Sequence, residues 1–198
     1  MSFVKKIFFI FFFLILISCE VSKAYILVEP GTVEIEKIYS VQTNKKWSQF
    51  QEKGYNFLFW TIHGYSLQRI VFFRPTENGK SLFDHDSFFT KENKKRPIFD
   101  SKMNKFEIKE FFENCIIWSR EFTSIETTNL KNYKIDNVDG ISFDILAKNE
   151  LGLIYKGYAV SGIKDNKLYS VYFIATEIEF YNMYANEAKK IISSIKIL

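Results

Sequence analysis

Three prolines, eight glycines, two histidines and two cysteines are all this 198-residue chain holds of those types, and each shortage closes a class of explanation. Two cysteines, Cys19 and Cys115, cannot build the disulfide framework of a small secreted scaffold. His63 and His85 fall short of the three or four ligands that a zinc site takes, in which histidine is usually prominent. The glycines form neither a P-loop nor a G-x-G-x-x-G turn, and no serine sits in a G-x-S-x-G elbow. A formal charge of +4 supplies no strong basic field for nucleic acid. Aromatics, by contrast, are plentiful, with 22 Phe and 11 Tyr. Lys, Ile and Asn are abundant beside them, a bias that AT-rich codons produce unaided, so the excess does not by itself argue for a stacked ligand.

The first twenty residues are ordered differently from the rest. Lys5 and Lys6 precede Ile7 to Ile17, an unbroken run of eleven Phe, Ile and Leu residues, and Ser18 stands before Cys19. The run is too short for an ordinary membrane span of about 20 residues and has the order of an export leader. Leu16-Ile17-Ser18-Cys19 resembles the lipobox of bacterial lipoproteins. The resemblance implies that residues 1–18 are removed and that Cys19 carries acyl chains such as palmitate. Two or more chains hold stably where one is weak, each buried methylene contributing about 0.8 kcal/mol. Glu20 stands where Asp is the familiar inner-membrane retention signal, so the same resemblance implies a periplasm-facing envelope protein, with the outer membrane favoured over the inner. A plain secretory leader or an uncleaved signal anchor is the alternative.

Without the leader the charge falls to +2 and about 180 residues remain, enough for one domain with a real core. Residues 19–32, containing Pro30-Gly31, read as the lipidated cysteine and its tether, and 33–198 as a single α+β domain. Val33 to Val41 alternates apolar with polar and predicts one half-buried strand. Tyr55–Trp60 and Leu67–Phe73 predict a hairpin turning near Gly64, and Arg74 to Lys95 an exposed loop. Strands over 138–147, 153–163 and 167–175, with a weaker one over 122–130, are separated by short turns and predict an antiparallel meander.

Two helices complete the pattern. Ile108, Phe111, Phe112, Cys115 and Ile116 form one stripe, opened by an Asn104/Glu107 capping box. Thr176 with Glu179 predicts a second box ahead of Phe180, Tyr184, Ala188, Ile191 and Ile195, with Lys189, Lys190 and Lys196 against the negative end of the helix dipole. The expected architecture is an antiparallel β-sheet packed with two amphipathic helices. The hairpin GIKDNKLYSVYFIAT leading to a helix that ends AKKIISSIKIL resembles the PsbP-like fold, an α/β sandwich of small extracytoplasmic proteins. Trp47, the Trp60-Thr61-Ile62-His63-Gly64 step, Pro97, Met103, Glu107 and the late Lys167-Leu168-Tyr169 strand also resemble a group of uncharacterised bacterial lipoproteins. Both resemblances imply fold and location and assign no activity.

Asp84-His85-Asp86 is the only cluster of acid-base groups in the sequence, and it reads as a solvated loop. Glu34 with Glu36 and Glu177 with Glu179 fit a strand's solvent face and a helix start, so no catalytic residue, metal or cofactor is assigned. Cys115 lies on the helix stripe and reads as a buried small hydrophobe. Trp60 and Trp118 read as core, and Phe88 and Phe89 as a contact pair beside Lys94, Lys95 and Arg96. The expected role is that of a non-enzymatic binding or assembly protein, held to the membrane by acyl chains on Cys19 and docking another envelope protein, with no nucleic acid. The alternative is a periplasmic module binding a lipid or other apolar ligand beneath the terminal helix. A hydrolase would need His63 and His85 to converge.

Overall fold

The structure is a computed structural model and describes residues 25–51, 54–83 and 95–198. Cys19, the Asp84-His85-Asp86 cluster, Phe88, Phe89 and Lys94 lie outside the described residues. In chain order the elements are β1 (Ile26–Val28), β2 (Gly31–Ile35), β3 (Tyr39–Thr43), β4 (Trp47–Gln51), β5 (Phe57–Thr61), β6 (Gln68–Phe73), β7 (Thr76–Glu77), α1 (Lys105–Trp118), β8 (Ser124–Ile135), β9 (Val138–Lys148), β10 (Ile154–Lys164), β11 (Lys167–Thr176), α2 (Phe180–Ser193) and β12 (Lys196–Ile197).

Nine strands form one antiparallel sheet in the order β1-β4-β5-β6-β11-β10-β9-β8, with β7 also paired to β11. β6 and β7 share β11 as partner but are separated by Arg74 and Pro75. Proline has no N–H to give a ladder, so the break falls where a continuous strand would need one. A second, three-stranded sheet runs β12-β3-β2.

Both faces of the large sheet are covered, and alternate residues of its central strands feed two separate cores. Ile70, Phe72, Val171 and Phe173 pack on one face with Trp47, Trp60, Tyr184, Ala188 and Ile191, under α2 and the small sheet. Val71, Phe73, Tyr172 and Ile174 pack on the other with Phe111, Phe112, Cys115 and Phe143, under α1. This is the α+β arrangement expected, with two helices on a large antiparallel sheet.

Local rules explain most elements. Asn104 caps α1 by accepting from the amides of Phe106 and Glu107, while the Glu107 carboxylate accepts from the Asn104 amide at 2.7 Å, a complete capping box. The meander is continuous, with Ile163↔Leu168 and Ser161↔Ser170 across β10–β11 and Tyr158↔Asp144 across β10–β9. Gly157 is needed at its crossing, because a Cβ there would meet the Phe173 carbonyl oxygen of the neighbouring strand.

Four local expectations are corrected. The alternation over 33–41 is not one strand but the β2–β3 hairpin, since Glu36 and Lys37 both take positive φ (51° and 57°) and the Ile38 amide donates to the Ile35 carbonyl at 2.9 Å. Such a turn normally advertises itself with Gly or Asn, and here it does not. Residues 26–32, read as tether, supply β1 and the start of β2, with β1 paired to β4 and Val28 buried. Thr176 does not open α2: it remains paired to Tyr155, its hydroxyl donates to the Ile178 carbonyl, and the helix begins after Glu179 at φ 72° with no side-chain cap. Ile195 and Lys196 lie beyond the end of α2, and Lys196 belongs to β12, so it does not sit in the last helical turn.

Candidate functional site

Among the described residues Arg69 is the one charged side chain of the fully buried large groups, on β6, a strand buried at every position. A guanidinium cannot shed its charge and must be paired when buried. Arg69 Nη2 forms an ion pair with Glu121 Oε1, and Nη1 donates to the Tyr65 carbonyl at 2.9 Å. The guanidinium lies 4.0 Å from the centre of the Tyr65 ring. Tyr65 Oη in turn donates to Glu121 Oε2 at 2.9 Å. Burial pushes the Tyr65 hydroxyl well above its ordinary value and that of Tyr172, beside the same arginine, up to about 12, so both stay neutral and hold their protons. The cluster fastens the β5–β6 loop and the α1–β8 connection onto β11. It contains no nucleophile, and its one positive group already has a carboxylate, so the arrangement is that of a fastening.

His63 donates or accepts with Tyr184 Oη at 2.6 Å, and its ring lies 5.1 Å from that of Phe180, which ties the β5–β6 loop to α2. Cys115 is fully buried 3.6 Å from Ser81 Oγ, and burial pushes its thiol up to about 12. A thiol held protonated in the core is no nucleophile at neutral pH. Among the described residues no group of three His, Cys, Asp or Glu side chains could hold a metal. Beneath α2, Trp47, Trp60 and Phe173 are buried in one cluster with Tyr184 and Ile191 of the helix.

The described part of the expected contact region lies where the chain runs into α1. Lys95 is exposed, whereas Arg96 is half-buried with its guanidinium 4.8 Å from the Trp118 ring centre, so the arginine is anchored on the helix it leads to. Phe99 is buried, and its amide donates to the Lys80 carbonyl at 2.8 Å, pinning this stretch beside residues 78–80. That leaves Ile98 and Phe106 exposed at 45% and 60%. Lys80, Lys95, Lys102 and Lys105 are exposed around them. Next to this surface an open cleft of about 260 Å³ separates Met103, Lys105 and Ile108 from Gly140 and Gly162. Asp100, Glu107 and Glu110 are exposed there too, so the surface is apolar with mixed charge, and a shallow open cleft does not enclose a small molecule.

Sequence reasoning missed the Arg69–Glu121–Tyr65 cluster. The signal was a lone arginine inside the apolar run Leu67–Phe73, which demands a carboxylate partner but does not say which. It also missed Tyr25, Ile26 and Leu27, which are exposed at the start of the edge strand β1. Among the described residues no helix is long and apolar enough to cross a membrane.

No protein-family model matches the sequence, and no curated protein matches it. Solved structures do. The chain is similar to cyanobacterial PsbP (CyanoP) from Synechocystis sp. PCC 6803, with a TM-score of 0.52 at 10% identity over 91% of this chain and 98% of that one. It is also similar to a Bacteroides thetaiotaomicron VPI-5482 protein, with a TM-score of 0.47 at 11% identity over 89% of this chain. The chain spans about half of that protein, 49% of its length. The fold is PsbP-like.

Proposed function

We propose that this chain is a lipid-anchored, non-enzymatic docking domain of a bacterial cell envelope, facing the periplasm. The observation that carries the reading is the order of the leader: two lysines, eleven apolar residues and Ser18 before Cys19. The PsbP-like fold and the exposed Ile98, Phe106 and lysine surface beside α1 support it. In this reading the acyl chains on Cys19 concentrate the domain at the membrane. The segment 88–96, with Phe88, Phe89, Lys94, Lys95 and Arg96, joins the surface beside α1 in binding another envelope protein. Confinement to a membrane raises the effective concentration of a weak partner, so a modest interface suffices.

The test compares the full chain with Cys19→Ala by membrane fractionation and in vivo crosslinking. The anchored protein is expected to sediment with membranes, the outer membrane above the inner, and to capture a partner that the unanchored variant does not. Changing Phe88 and Phe89 to Ala together with charge reversal at Lys94, Lys95 and Arg96 is expected to abolish that capture while leaving fractionation unchanged. Unchanged fractionation of Cys19→Ala would overturn the anchor, and unchanged capture by the surface variant would overturn the docking surface.

A further inference from the structure

The outer edge of the large sheet at β1 is apolar on both of its faces. Tyr25, Ile26 and Leu27 are 54%, 57% and 58% exposed, three consecutive large apolar side chains. Ile26 and Leu27 point to opposite faces of the sheet, as successive residues of a strand must. The Tyr25 ring lies 5.4 Å from that of Phe50 at the same edge. Among the described residues β1 pairs only with β4, so its other side presents unpaired backbone groups. The result is a rim with apolar side chains above and below and unpaired backbone groups along its edge.

We infer that this rim seats edge-on in the headgroup layer of the bilayer that holds the chain. The inference rests on the lipid-anchored reading above and adds an orientation to it. Five residues lie between Cys19 and Tyr25, so the six Cα–Cα steps reach at most about 22 Å when fully extended. A domain of this size has a radius of gyration of about 15 Å, so that tether is shorter than the domain is wide. The strand through which the chain enters the fold is therefore held close to the membrane whatever the rest of the domain does.

The chemistry of the rim fits that position. A protein partner packed on one sheet face would cover Ile26 or Leu27 but not both, whereas a fluid interface takes an edge from both sides. Tyrosine is enriched at the headgroup level, where its ring is in an apolar setting and its hydroxyl stays wet. The unpaired backbone groups of β1 keep the rim out of the hydrocarbon, where they would have no partners, and hold it in the hydrated headgroup layer.

The test uses the full, acylated chain reconstituted in vesicles of phosphatidylethanolamine and phosphatidylglycerol, with a spin label on Ile26→Cys, on Leu27→Cys, or on Leu151→Cys as a control. Leu151 is 92% exposed on the β9–β10 turn. Cys115 is buried and does not compete for the label. Labels at 26 and 27 are expected to show raised relaxation by oxygen and reduced relaxation by a water-soluble nickel complex, severalfold in ratio against the label at 151. Labels at 26 and 27 as open to nickel as that at 151, in a chain whose mass shows the acyl groups, would overturn the seating and leave the anchor standing. Label-to-label broadening with low access to both reagents would assign the rim to a second copy of the chain and overturn the seating too. A chain whose mass lacks the acyl groups would overturn the anchor and this inference together.

Discussion

The two halves of the large sheet are built on different terms. On one side of the β6–β11 seam lie β1, β4, β5 and β6, strands of 3, 5, 5 and 6 residues. On the other lie β11, β10, β9 and β8, of 10, 11, 11 and 12 residues. Of the short strands, β1 and β5 are apolar almost throughout, and β6 shows no exposed position at all. β8 alternates, with most of its residues at least partly open to water. Their outer edges differ in the same sense. β8 carries Glu126, Lys131 and Lys134 and breaks register between Thr128 and Lys131, the charges and bulge that discourage edge-to-edge pairing. β1 has neither, only brevity and an apolar surface. An edge protected by charge can face water, and an edge without such protection is suited to being covered.

The sharpest way to break this comparison is to empty the short-stranded half. Phe72→Ala, at 1% exposure, is expected to cost about 3–5 kcal/mol by denaturant unfolding. Leu146→Ala, at 41% exposure in the long-stranded half, is expected to stay within about 0.5 kcal/mol. Phe143→Ala, at 1% exposure in the long-stranded half, is the matched control, and a loss equal to that of Phe72→Ala would show that burial and not the half decides the cost.

The fastening next to the seam should respond asymmetrically. Glu121→Ala leaves a fully buried guanidinium without its carboxylate, and an expected loss of about 3 kcal/mol follows. Arg69→Met removes the buried charge and leaves only a carboxylate that is 25% exposed and can rehydrate, so a smaller loss is expected in the same measurement.

Tyrosine burial gives a pH dependence. Tyr172 has its ordinary value of 10.0 raised to about 12 in the folded protein by burial, so its contribution is fully present below pH 10 and is lost as pH rises towards 12. In that window the unfolded chain binds fewer protons than the folded one, and each unit of pH is expected to remove about 1.4 kcal/mol for this group. Tyr172→Phe should flatten the alkaline limb of a stability profile by that amount. At the α1 cap, Asn104→Ala is expected to cost about 1 kcal/mol.

What was legible before folding follows the same division. The meander announced itself by its apolar runs and short turns, and α1 by its stripe and cap, because the helix faces one core on one side and solvent on the other. The short half hid its details. β4 has only weak alternation, with Trp47 buried and the three residues after it partly buried. The turn at Glu36-Lys37 carries no turn residue, and Thr176-Glu177-Ile178-Glu179 spells a cap that the β11 ladder pre-empts by holding Thr176. At the candidate surfaces, Lys95 was placed correctly as exposed, but the packing of Arg96 on Trp118 depends on how residues 97–103 lead into α1. The partnership of Arg69 with Glu121 joins positions 52 apart in sequence and could not be read from either neighbourhood.

The seam also sets the order in which the molecule can assemble. β8 to β11 meet their neighbours through short turns, but Ile70 waits for Phe173, about 100 residues further along, before β6 gains its second partner. Closing so long a loop carries its entropy cost before any contact is returned, so the meander can form as soon as it is made while the amino-terminal strands remain half-paired. The amino-terminal strands therefore complete their sheet only once β11 has been made.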